Sequence, residues 1–425
     1  MLRAGGMLPG RSQEAIILSR LKMYPRKYLD IAIKDLVAAL LYCMDYRLDR
    51  TSLIRQLEEL WSREDDALVA LSVRSVFDAL LSVLKLQAGS EVIMSGINIP
   101  DMSAIVLRHG LKVVPVDLIH NTLQVDIDQL AQAINPKTRV VVVAHLFGSV
   151  MEMEPIIGIV REHENILLVE DCAQAFAGCS GYRGAGRSNV SMFSFGAIKT
   201  ATALGGAMAR VPGADLRAAM RDRLAFYPLR RRSYFFKRVL KYMALKVLSY
   251  PGIYGATIRM LKAMGIDYDA FIVKLVRTFN GRSLMDLIRM QPSTPLLALL
   301  LRRLKSYGQS DLDGRKSAGH YVINALGNRS AIPGADNPSH TFWLFPLLTS
   351  DAEPLIDSLR RSGFDAASDS TQLHCVSSET GQGAALEVSR NIIDTAIYLP
   401  VYESIPTRDL ERMVSIVNAS APAAM

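Results

Sequence analysis

The stretch that decides the fold is LLVEDCAQAFAG, residues 167–178, together with SMFSFGAIKTATALGGAMARV, residues 191–211. The first begins with an apolar run that ends in an acid, Asp171, and the second with an apolar run followed by a lysine, Lys199. Short apolar runs bounded by small and turn-forming residues predict buried strands. Ligands of parallel sheets bind beyond the carboxyl ends of the strands, so we expect the acid and the amine to face one site.

The same pattern extends over residues 67–211. Apolar, β-rich runs recur as ALVALSV (67–73), SEVIMSG (90–96), KVVPVDL (112–118), RVVVVAHLFG (139–148), NILLVED (165–171), VSMFSF (190–195) and GGAMARV (205–211). Between them, DIDQLAQAIN (126–135) and MEPIIGIVREHE (153–164) fit helices. Runs that are apolar on both faces and alternate with helices predict an α/β domain whose mostly parallel sheet is covered on both sides.

The chain has 425 residues, which is more than one hydrophobic core usually covers. We expect an N-terminal helical segment (1–60), a large α/β domain (61–211), a basic amphipathic insert (212–288), and a long helix with a small α+β domain (289–425). In the first segment, KYLDIAIKDLVAALLYCM (27–44) predicts a docking helix. Its apolar stripe is Leu29, Ile33, Leu36, Val37 and Leu40.

Composition excludes several classes of protein. No uncharged apolar run approaches the ~20 residues of a membrane-spanning helix, and no secretory signal is recognisable, so we expect a cytoplasmic protein. The four cysteines follow no metal-ligand spacing and are too few for a disulfide scaffold. We therefore expect reduced thiols and no metal site.

The net charge of +8 comes from one segment. Residues 210–246 contain eleven Lys and Arg against two Asp, a local excess of +9 that leaves about −1 for the rest of the chain. Two interpretations of this insert stay open. It lies on anionic lipid at the inner face of the membrane, or it is a solvated helical lid over the active site. No nucleic-acid-binding motif accompanies the charge, so nucleic acid is not an expected partner.

Six ordered motifs resemble the DegT/DnrJ/EryC1/StrS family of sugar aminotransferases. They are GSEVIMSG (89–96), GLKVVPVDL (110–118), INPKTRVVVVAHLFGS (134–149), VEDCAQAFAG (169–178), FSFGAIKTATALGGA (193–207) and IYLPVYESIP (397–406). The resemblance covers about 67–211 and 289–415. It implies the fold type I architecture, a homodimer and pyridoxal 5'-phosphate (PLP) as cofactor. The implied reaction passes an amino group from a small-molecule donor, glutamate by resemblance, to a keto or aldehyde acceptor such as a sugar or lipid-linked intermediate.

Residue by residue, the resemblance implies a cofactor site. Lys199 would hold the PLP aldehyde and move protons, Asp171 would lie beside the pyridine nitrogen, Gln174 beside the phenolic oxygen, and Ser194 on the phosphate. Each residue alone also has a structural interpretation, such as a cap or a buried hydroxyl bonded to backbone. The order of all four favours the PLP site. For His145, a structural histidine and a cofactor contact stay open.

Four positions depart from the family pattern. Val73 and Arg74 replace a Gly-Thr pair at the phosphate loop, where Arg74 or Ser75 could add a charge or a hydroxyl, or Arg74 could point to solvent. Ile99 replaces an aromatic ring that stacks on the cofactor. Gly196 stands where many relatives have histidine. Arg289 matches an asparagine that reaches the neighbouring subunit's phosphate, and an arginine could still bind it there.

Two alternatives to an aminotransferase stay open. One is another PLP reaction, such as elimination or carbon–carbon bond chemistry on an amino acid. The other is a non-catalytic PLP-binding protein with a regulatory or membrane-associated role. Because Lys199 is retained, the resemblance disfavours the family's dehydratase branch, where histidine is expected.

Overall fold

A computed structural model of the chain describes residues 22–266, 268, 283–368, 372–377 and 385–420. The first 21 residues of the predicted N-terminal segment lie outside the described residues. So do residues 267 and 269–282 of the predicted insert.

The predicted large domain is built on a seven-stranded sheet. The first eight strands of the chain are β1 (Ala67–Ala70), β2 (Glu91–Ser95), the short β3 (Ile97–Asn98), β4 (Lys112–Val116), β5 (Thr138–Ala144), β6 (Leu167–Asp171), β7 (Val190–Ser194) and β8 (Ala207–Arg210), and all but β3 belong to this sheet. The sheet order is β1-β8-β7-β6-β5-β2-β4. Its pairs are parallel except where β8 meets β1 and β7. All seven apolar runs therefore form strands of a mostly parallel sheet, as predicted.

Helices cover this sheet and build the rest of the described chain. They are α1 (Ile33–Met44), α2 (Arg50–Trp61), α3 (Val73–Leu84), α4 (Pro100–Arg108), α5 (Ile127–Ala133), α6 (Glu154–Arg161), α7 (Ala214–Ala225), α8 (Arg232–Leu248), α9 (Pro251–Ala263), α10 (Leu284–Ile288), α11 (Thr294–Ser306), α12 (Gln309–Ala325), α13 (Ala352–Arg361), α14 (Glu387–Thr395) and α15 (Thr407–Ser420). The remaining strands are β9 (Phe345–Leu348), β10 (His374–Cys375) and β11 (Ala396–Leu399).

The central strand β5 shows why its run is apolar throughout. Val140 and Val142 pack in one core with α3, and Val141 and Val143 pack in another with α6. Successive side chains of a strand point to opposite faces, so a strand covered on both sides needs an apolar residue at every position.

The predicted docking helix begins later than the sequence suggests. Residues 27–32 are not helical, and α1 starts at Ile33. Asp30 instead accepts hydrogen bonds from the Ala201 N–H (2.8 Å) and from Arg303 (3.1 Å). This tertiary pairing outweighs helix propensity. The predicted stripe is also wrong at Val37, which is 46% exposed, whereas Leu36 is fully buried.

The chain beyond residue 289 differs from the prediction in one respect. The expected long helix is divided into α11 and α12, because Tyr307 and Gly308 are extended. Strands β9 and β11 pair antiparallel, and their residues share a core with α13 and α15, which forms the expected small α+β unit. Among the described residues, no helix is both long and apolar enough to cross a membrane.

Candidate active site

A cavity of about 240 Å³ lies at the carboxyl ends of β6 and β7, where the large domain meets the small one. Six of the nine predicted site residues line it: Arg74, Ile99, Asp171, Gln174, Ser194 and Lys199. They come from four separate segments, so the fold assembles the site from residues far apart in sequence.

The turn that carries Lys199 is held in an uncommon backbone conformation. Ala201 and Leu204 both lie in the left-handed region, with φ of 51° and 62°. Such residues cost free energy and persist where surrounding contacts hold them, often at functional sites. Here the Ala201 N–H is bound by Asp30, and the Lys199 N–H donates to the Gly196 carbonyl at 3.0 Å.

The environment of the Lys199 amine favours its neutral form. Burial, together with the nearby cations Arg74 and Lys27, lowers its pKa from 10.5 to about 7, although the charge of Asp171 opposes the shift. The Nζ atom also lies 3.7 Å from the ring centroid of Trp343. A buried amine with a pKa near neutrality can act as a nucleophile and as a base.

Asp171 is the acid that faces this amine across the cavity wall. Burial raises the pKa of its carboxyl group, while the Ala173 N–H and the charge of Lys199 oppose that shift. Its Oδ1 atom accepts the Ala173 N–H at 3.1 Å. A desolvated carboxylate of this kind gains most from a cationic or protonated partner placed in the cavity.

Gln174 is oriented by the backbone of another loop. Its Oε1 atom accepts the Phe147 N–H at 2.8 Å, and Phe147 itself has a left-handed φ of 55°. Because the carbonyl oxygen is engaged there, the amide nitrogen is the group that Gln174 can offer to a ligand.

The amino terminus of α3 forms another part of the wall. Ser72, Val73 and Arg74 line the cavity there, and the Ser72 hydroxyl caps the helix by accepting the Ser75 N–H at 3.2 Å. The Arg74 guanidinium forms an ion pair with Asp101. Helix amino termini attract anions through their backbone N–H groups and the helix dipole. The Ser194 hydroxyl is a further donor on the cavity wall.

Two further departures from the family pattern, Ile99 and Gly196, also lie at the cavity. Ile99 supplies an apolar contact surface, and the buried side chain of the neighbouring Asn98 opposes the rise that burial causes in the pKa of Asp171. Gly196 leaves open space: a Cβ atom there would lie 3.5 Å from Ser194 Oγ and 3.7 Å from Lys199 Cγ, which is ordinary contact. The absence of a side chain at 196 therefore widens the cavity next to the amine.

Ser75 and His145 do not line the cavity. The Ser75 hydroxyl is fully buried and donates to the Ile288 carbonyl at 2.7 Å, which fixes α3 against α10. His145 is also fully buried: its Nδ1 accepts the Met151 N–H at 2.9 Å, and its Nε2 lies 3.1 Å from Glu170. These bonds assign the proton to Nε2. The structural interpretation of His145 therefore fits its environment.

His145, Glu170 and Cys172 place three potential metal ligands within 4.8 Å of one another. Glu170 is already engaged, because its oxygens accept bonds from His145, Tyr182, Ser191 and the Ala185 N–H. The hydrogen bonds from His145 and Tyr182 lower the pKa of this buried carboxyl group although burial opposes them. The group is thus a hydrogen-bonded network beneath Asp171.

Arg289 also lies outside the cavity of its own chain. Its Nε and Nη2 atoms each donate to the Asp78 carboxylate at 2.9 Å, and Tyr227 and His109 bind the same carboxylate. These hydrogen bonds hold the pKa of Asp78 well below its usual range although burial opposes them. A role in a neighbouring subunit's site stays a prediction.

Residues that the sequence did not single out complete the cavity. Trp343 and Tyr402 come from the small domain, Arg315 from α12, and Lys27 from the extended segment before α1. Trp343 is fixed by a hydrogen bond from its Nε1 to the Ile198 carbonyl at 2.8 Å. The sequence gives only weak indications that these residues belong to a site. Trp343 is one of two tryptophans in the chain, and Lys27 lies two positions after Pro25 in YPRKYLD (24–30).

The groups around this cavity fit PLP. An amine that is partly neutral at pH 7 suits the aldehyde, a buried carboxylate suits a protonated pyridine nitrogen, and the α3 amino terminus with the Ser194 hydroxyl suits the phosphate. The desolvated Asp171 is a polar group that a cationic ligand group in the cavity would satisfy.

The sheet order and the overall fold are those of the fold type I architecture. Residues 49–226 match the model of the DegT/DnrJ/EryC1/StrS aminotransferase family. The matched segment contains the seven-stranded sheet, Asp171 and Lys199, and the resemblance predicted from the sequence is confirmed.

Three comparisons support this assignment. GDP-perosamine synthase of Caulobacter vibrioides is 32% identical over 134 residues, 31% of this chain and 36% of that protein. L-glutamine:2-deoxy-scyllo-inosose aminotransferase of Micromonospora echinospora is 39% identical over 88 residues, 21% of each chain. The crystal structure of the sugar aminotransferase CalS13 from M. echinospora superposes with a TM-score of 0.68 at 19% identity, covering 94% of this chain and all of that one.

The two kinds of comparison carry different weight. The aligned segments span about a third or less of the two curated relatives, and CalS13 shares the fold at low sequence identity. The fold is therefore shared over nearly the whole chain, whereas the sequence relationship concentrates in the large domain.

Proposed function

We propose that this protein is a PLP-dependent aminotransferase acting on a keto or aldehyde intermediate of sugar biosynthesis. The observation that carries the proposal is the pair formed by the half-buried Lys199, whose amine has a pKa lowered to about 7, and the buried Asp171, at the strand ends of a domain that matches the family model. The curated relatives' names describe a synthase of an amino sugar nucleotide and an aminotransferase that uses L-glutamine.

PLP, when bound, would supply an aldehyde for the amino group and a ring that draws electron density. Lys199 Nζ would hold the aldehyde and would move a proton at the substrate carbon, for which a pKa near 7 is well matched. Asp171 would hold a proton on the pyridine nitrogen. Gln174 would donate its amide to the phenolic oxygen, and Ser194 with the α3 amino terminus would bind the phosphate. Trp343 covers Lys199 and keeps water from it.

The charge of the cavity supports anionic ligands. Its wall carries Arg26, Lys27, Arg74, Lys199, Arg238 and Arg315 against two acids, Asp30 and Asp171. Most of these cations bind protein groups, whereas the described residues form no hydrogen bond or ion pair with Lys27. Burial and the neighbouring Arg26 lower the pKa of Lys27 to about 8, so its charged form is strained there and an anionic ligand group would stabilise it. We assign Lys27 to a carboxylate or phosphate of a substrate.

We also propose a cytoplasmic homodimer. The support for the dimer is the family resemblance and the position of Arg289, which lies outside its own cavity and matches a residue that reaches a neighbouring subunit's phosphate. Gel filtration with light scattering measures the assembly directly. A mass near one chain would contradict this part of the proposal.

The test of the activity uses the purified protein saturated with PLP. Added glutamate or glutamine should convert the bound aldehyde to the amine form, seen as the replacement of one absorbance band by another, and a keto sugar nucleotide should restore the first band. Lys199→Ala is the control that should abolish both changes. A protein that binds PLP on Lys199 but never changes with any amine would support the alternative, a binding protein without turnover.

A further inference from the structure

The exposed apolar side chains of the described residues are concentrated in two short segments. Of 14 large hydrophobic residues with exposed side chains, all but Ile119 lie within residues 37–46 or 226–266. The two segments make up 51 of the 425 residues, about an eighth of the chain, so the clustering is far from even. Contiguous exposed apolar surface of this kind marks an interaction site.

These side chains form stripes at helical spacing on helices that pack side by side. The exposed stripes are Val37, Leu41 and Met44 on α1, Leu240, Ala244 and Val247 on α8, and Ile253, Ala256, Met260 and Met264 on and just after α9. Helix α8 contacts both α1 and α9, and the opposite sides of all three helices are buried. We call the outward surface of these three helices the α1/α8/α9 face.

The charge on the α8 and α9 part of this face has one sign. Residues 226–266 contain nine Lys and Arg and no Asp or Glu. Some of these cations point inward, since Arg238 donates to the Leu204 carbonyl and Lys246 to the Leu29 carbonyl. Others are exposed beside the apolar stripes: Lys34, Arg231, Lys237 and Lys262.

We propose that the α1/α8/α9 face docks on an anionic lipid bilayer. Helices that combine an apolar stripe with flanking Lys and Arg lie in the plane of the headgroups, with the stripe in the acyl boundary and the cations on anionic lipid. A second copy of the chain fits this face poorly, because two such faces would bring the cations of α8 and α9 against each other, and the partly exposed Asp45 at the end of α1 is already paired with Arg47. The proposal goes beyond the enzymatic function and does not depend on it.

Docking in this manner has a consequence for the active site. Arg238 and Tyr242, one turn apart on the inward side of α8, line the cavity, while Leu240 and Val247 lie on the outward side. The bilayer and the cavity would thus be separated by the thickness of one helix. Helix α8 is both the predicted lid and the membrane contact, so the two interpretations of the basic insert are compatible.

Vesicle sedimentation with the full-length protein tests the proposal. We expect binding to phosphatidylcholine vesicles that contain phosphatidylserine, little binding to pure phosphatidylcholine, and loss of binding at high salt. The apolar variant Leu240→Ser/Val247→Ser/Met260→Ser and the charge variant Lys237→Gln/Lys262→Gln should each bind more than tenfold less tightly, since each cation near an anionic surface contributes roughly fivefold. The matched control Ile119→Ser/Lys137→Gln, outside this face, should bind like the wild type.

Three outcomes would overturn the proposal. In the first, the wild-type protein stays in the supernatant when it is mixed with anionic vesicles, and in the second, the variants of the α1/α8/α9 face bind as tightly as the wild type. In the third, the mass of the apolar variant in light scattering falls to a fraction of the wild-type mass. The last outcome would identify the face as a contact between subunits. All substituted side chains are exposed, so their replacement should not disturb the core. Circular dichroism of each variant checks that it is folded.

Discussion

At the residue scale, the Lys199 amine has a testable titration. With a pKa of about 7, half of the amine is neutral at that pH, whereas at its ordinary pKa of 10.5 roughly 1 in 3,000 would be. Only the neutral amine attacks an aldehyde, so the rate of PLP incorporation into the apoprotein should rise with pH and level off above about 8. Stopped-flow absorbance measures this rate. A rate that keeps climbing beyond pH 9 would show that Lys199 titrates like an exposed lysine.

Trp343 should control that titration through solvent access. Two effects oppose each other in Trp343→Ala: the ring attracts the ammonium by about 1 kcal/mol, but water admitted to Nζ can reverse a burial shift of several pKa units. We expect the second to dominate, so the midpoint of PLP incorporation should move upward by about one unit or more. Trp343→Phe keeps an apolar cover and should stay near the wild type. If the pH midpoint of PLP incorporation were unchanged in Trp343→Ala, the Trp343 ring would not control the access of water to Lys199.

Lys27 should affect substrate binding more than turnover. Replacing it in Lys27→Met removes one charge-assisted hydrogen bond of about 1.5 kcal/mol, so KM for the donor or the acceptor should rise roughly tenfold while kcat stays within about twofold. Steady-state kinetics of the PLP-loaded enzyme separates the two parameters. Lys137→Met is the matched control, because Lys137 is an exposed lysine directly before β5, at the end of the sheet opposite the cavity. A fall in kcat with unchanged KM would refute the assignment.

Some of these residues could be predicted from the sequence, and others could not, because they reach the site only through tertiary packing. Asp171 and Lys199 follow apolar runs whose strand ends must meet at one edge of the sheet, so local pattern and sheet topology suffice to bring them together. Trp343 lies 144 positions beyond Lys199 and reaches it through the packing of the small domain, which no periodicity encodes. Gln174 and Ser194 were found through their order in the family motifs.

At the element scale, Asp30 connects the extended N-terminal segment to the Lys199 turn. It accepts the Ala201 N–H and bonds from Arg303 and Arg315, two buried arginines. Asp30→Asn would leave these donors partly unsatisfied, and we expect it to lower the free energy of unfolding by about 2 kcal/mol. Urea denaturation should show this loss, and the affinity for PLP should fall as the turn loosens.

Asp128→Asn serves as the comparison, because Asp128 is an exposed residue in the first turn of α5 and should cost only a few tenths of a kcal/mol. If Asp30→Asn were as stable as Asp128→Asn, the segment before α1 would not be anchored through this carboxylate.

The same aspartate explains where element prediction failed. The seven strands were predictable because each is buried on both faces and so must be apolar along its whole length. Residues 27–32 carry a helical apolar pattern too, yet they form no helix, since Leu29 and Ile31 are buried while Asp30 binds the Lys199 turn and α11. Likewise the break between α11 and α12 lies at a Tyr-Gly pair whose extended backbone the apolar pattern did not reveal.

At the scale of the whole molecule, one cavity joins four parts of the chain. The strand ends supply Asp171 and Ser194, the small domain supplies Trp343, the extended N-terminal segment supplies Lys27, and the basic insert supplies Arg238. The sequence predicted the mostly parallel sheet and the fold class, because these follow from strand pattern and ordered motifs. It left open whether the insert covers the active site, because α8 reaches the cavity wall by packing against α1 and α11, and such packing is not encoded in a local pattern.

The most direct measurement is the location of the cofactor on the chain. The protein is incubated with PLP, reduced with borohydride, digested and mapped by mass spectrometry. A pyridoxyl group on Lys199, and its absence from a Lys199→Ala protein treated in the same way, is the predicted result. A pyridoxyl group on another lysine, or on none, would contradict the account at its centre.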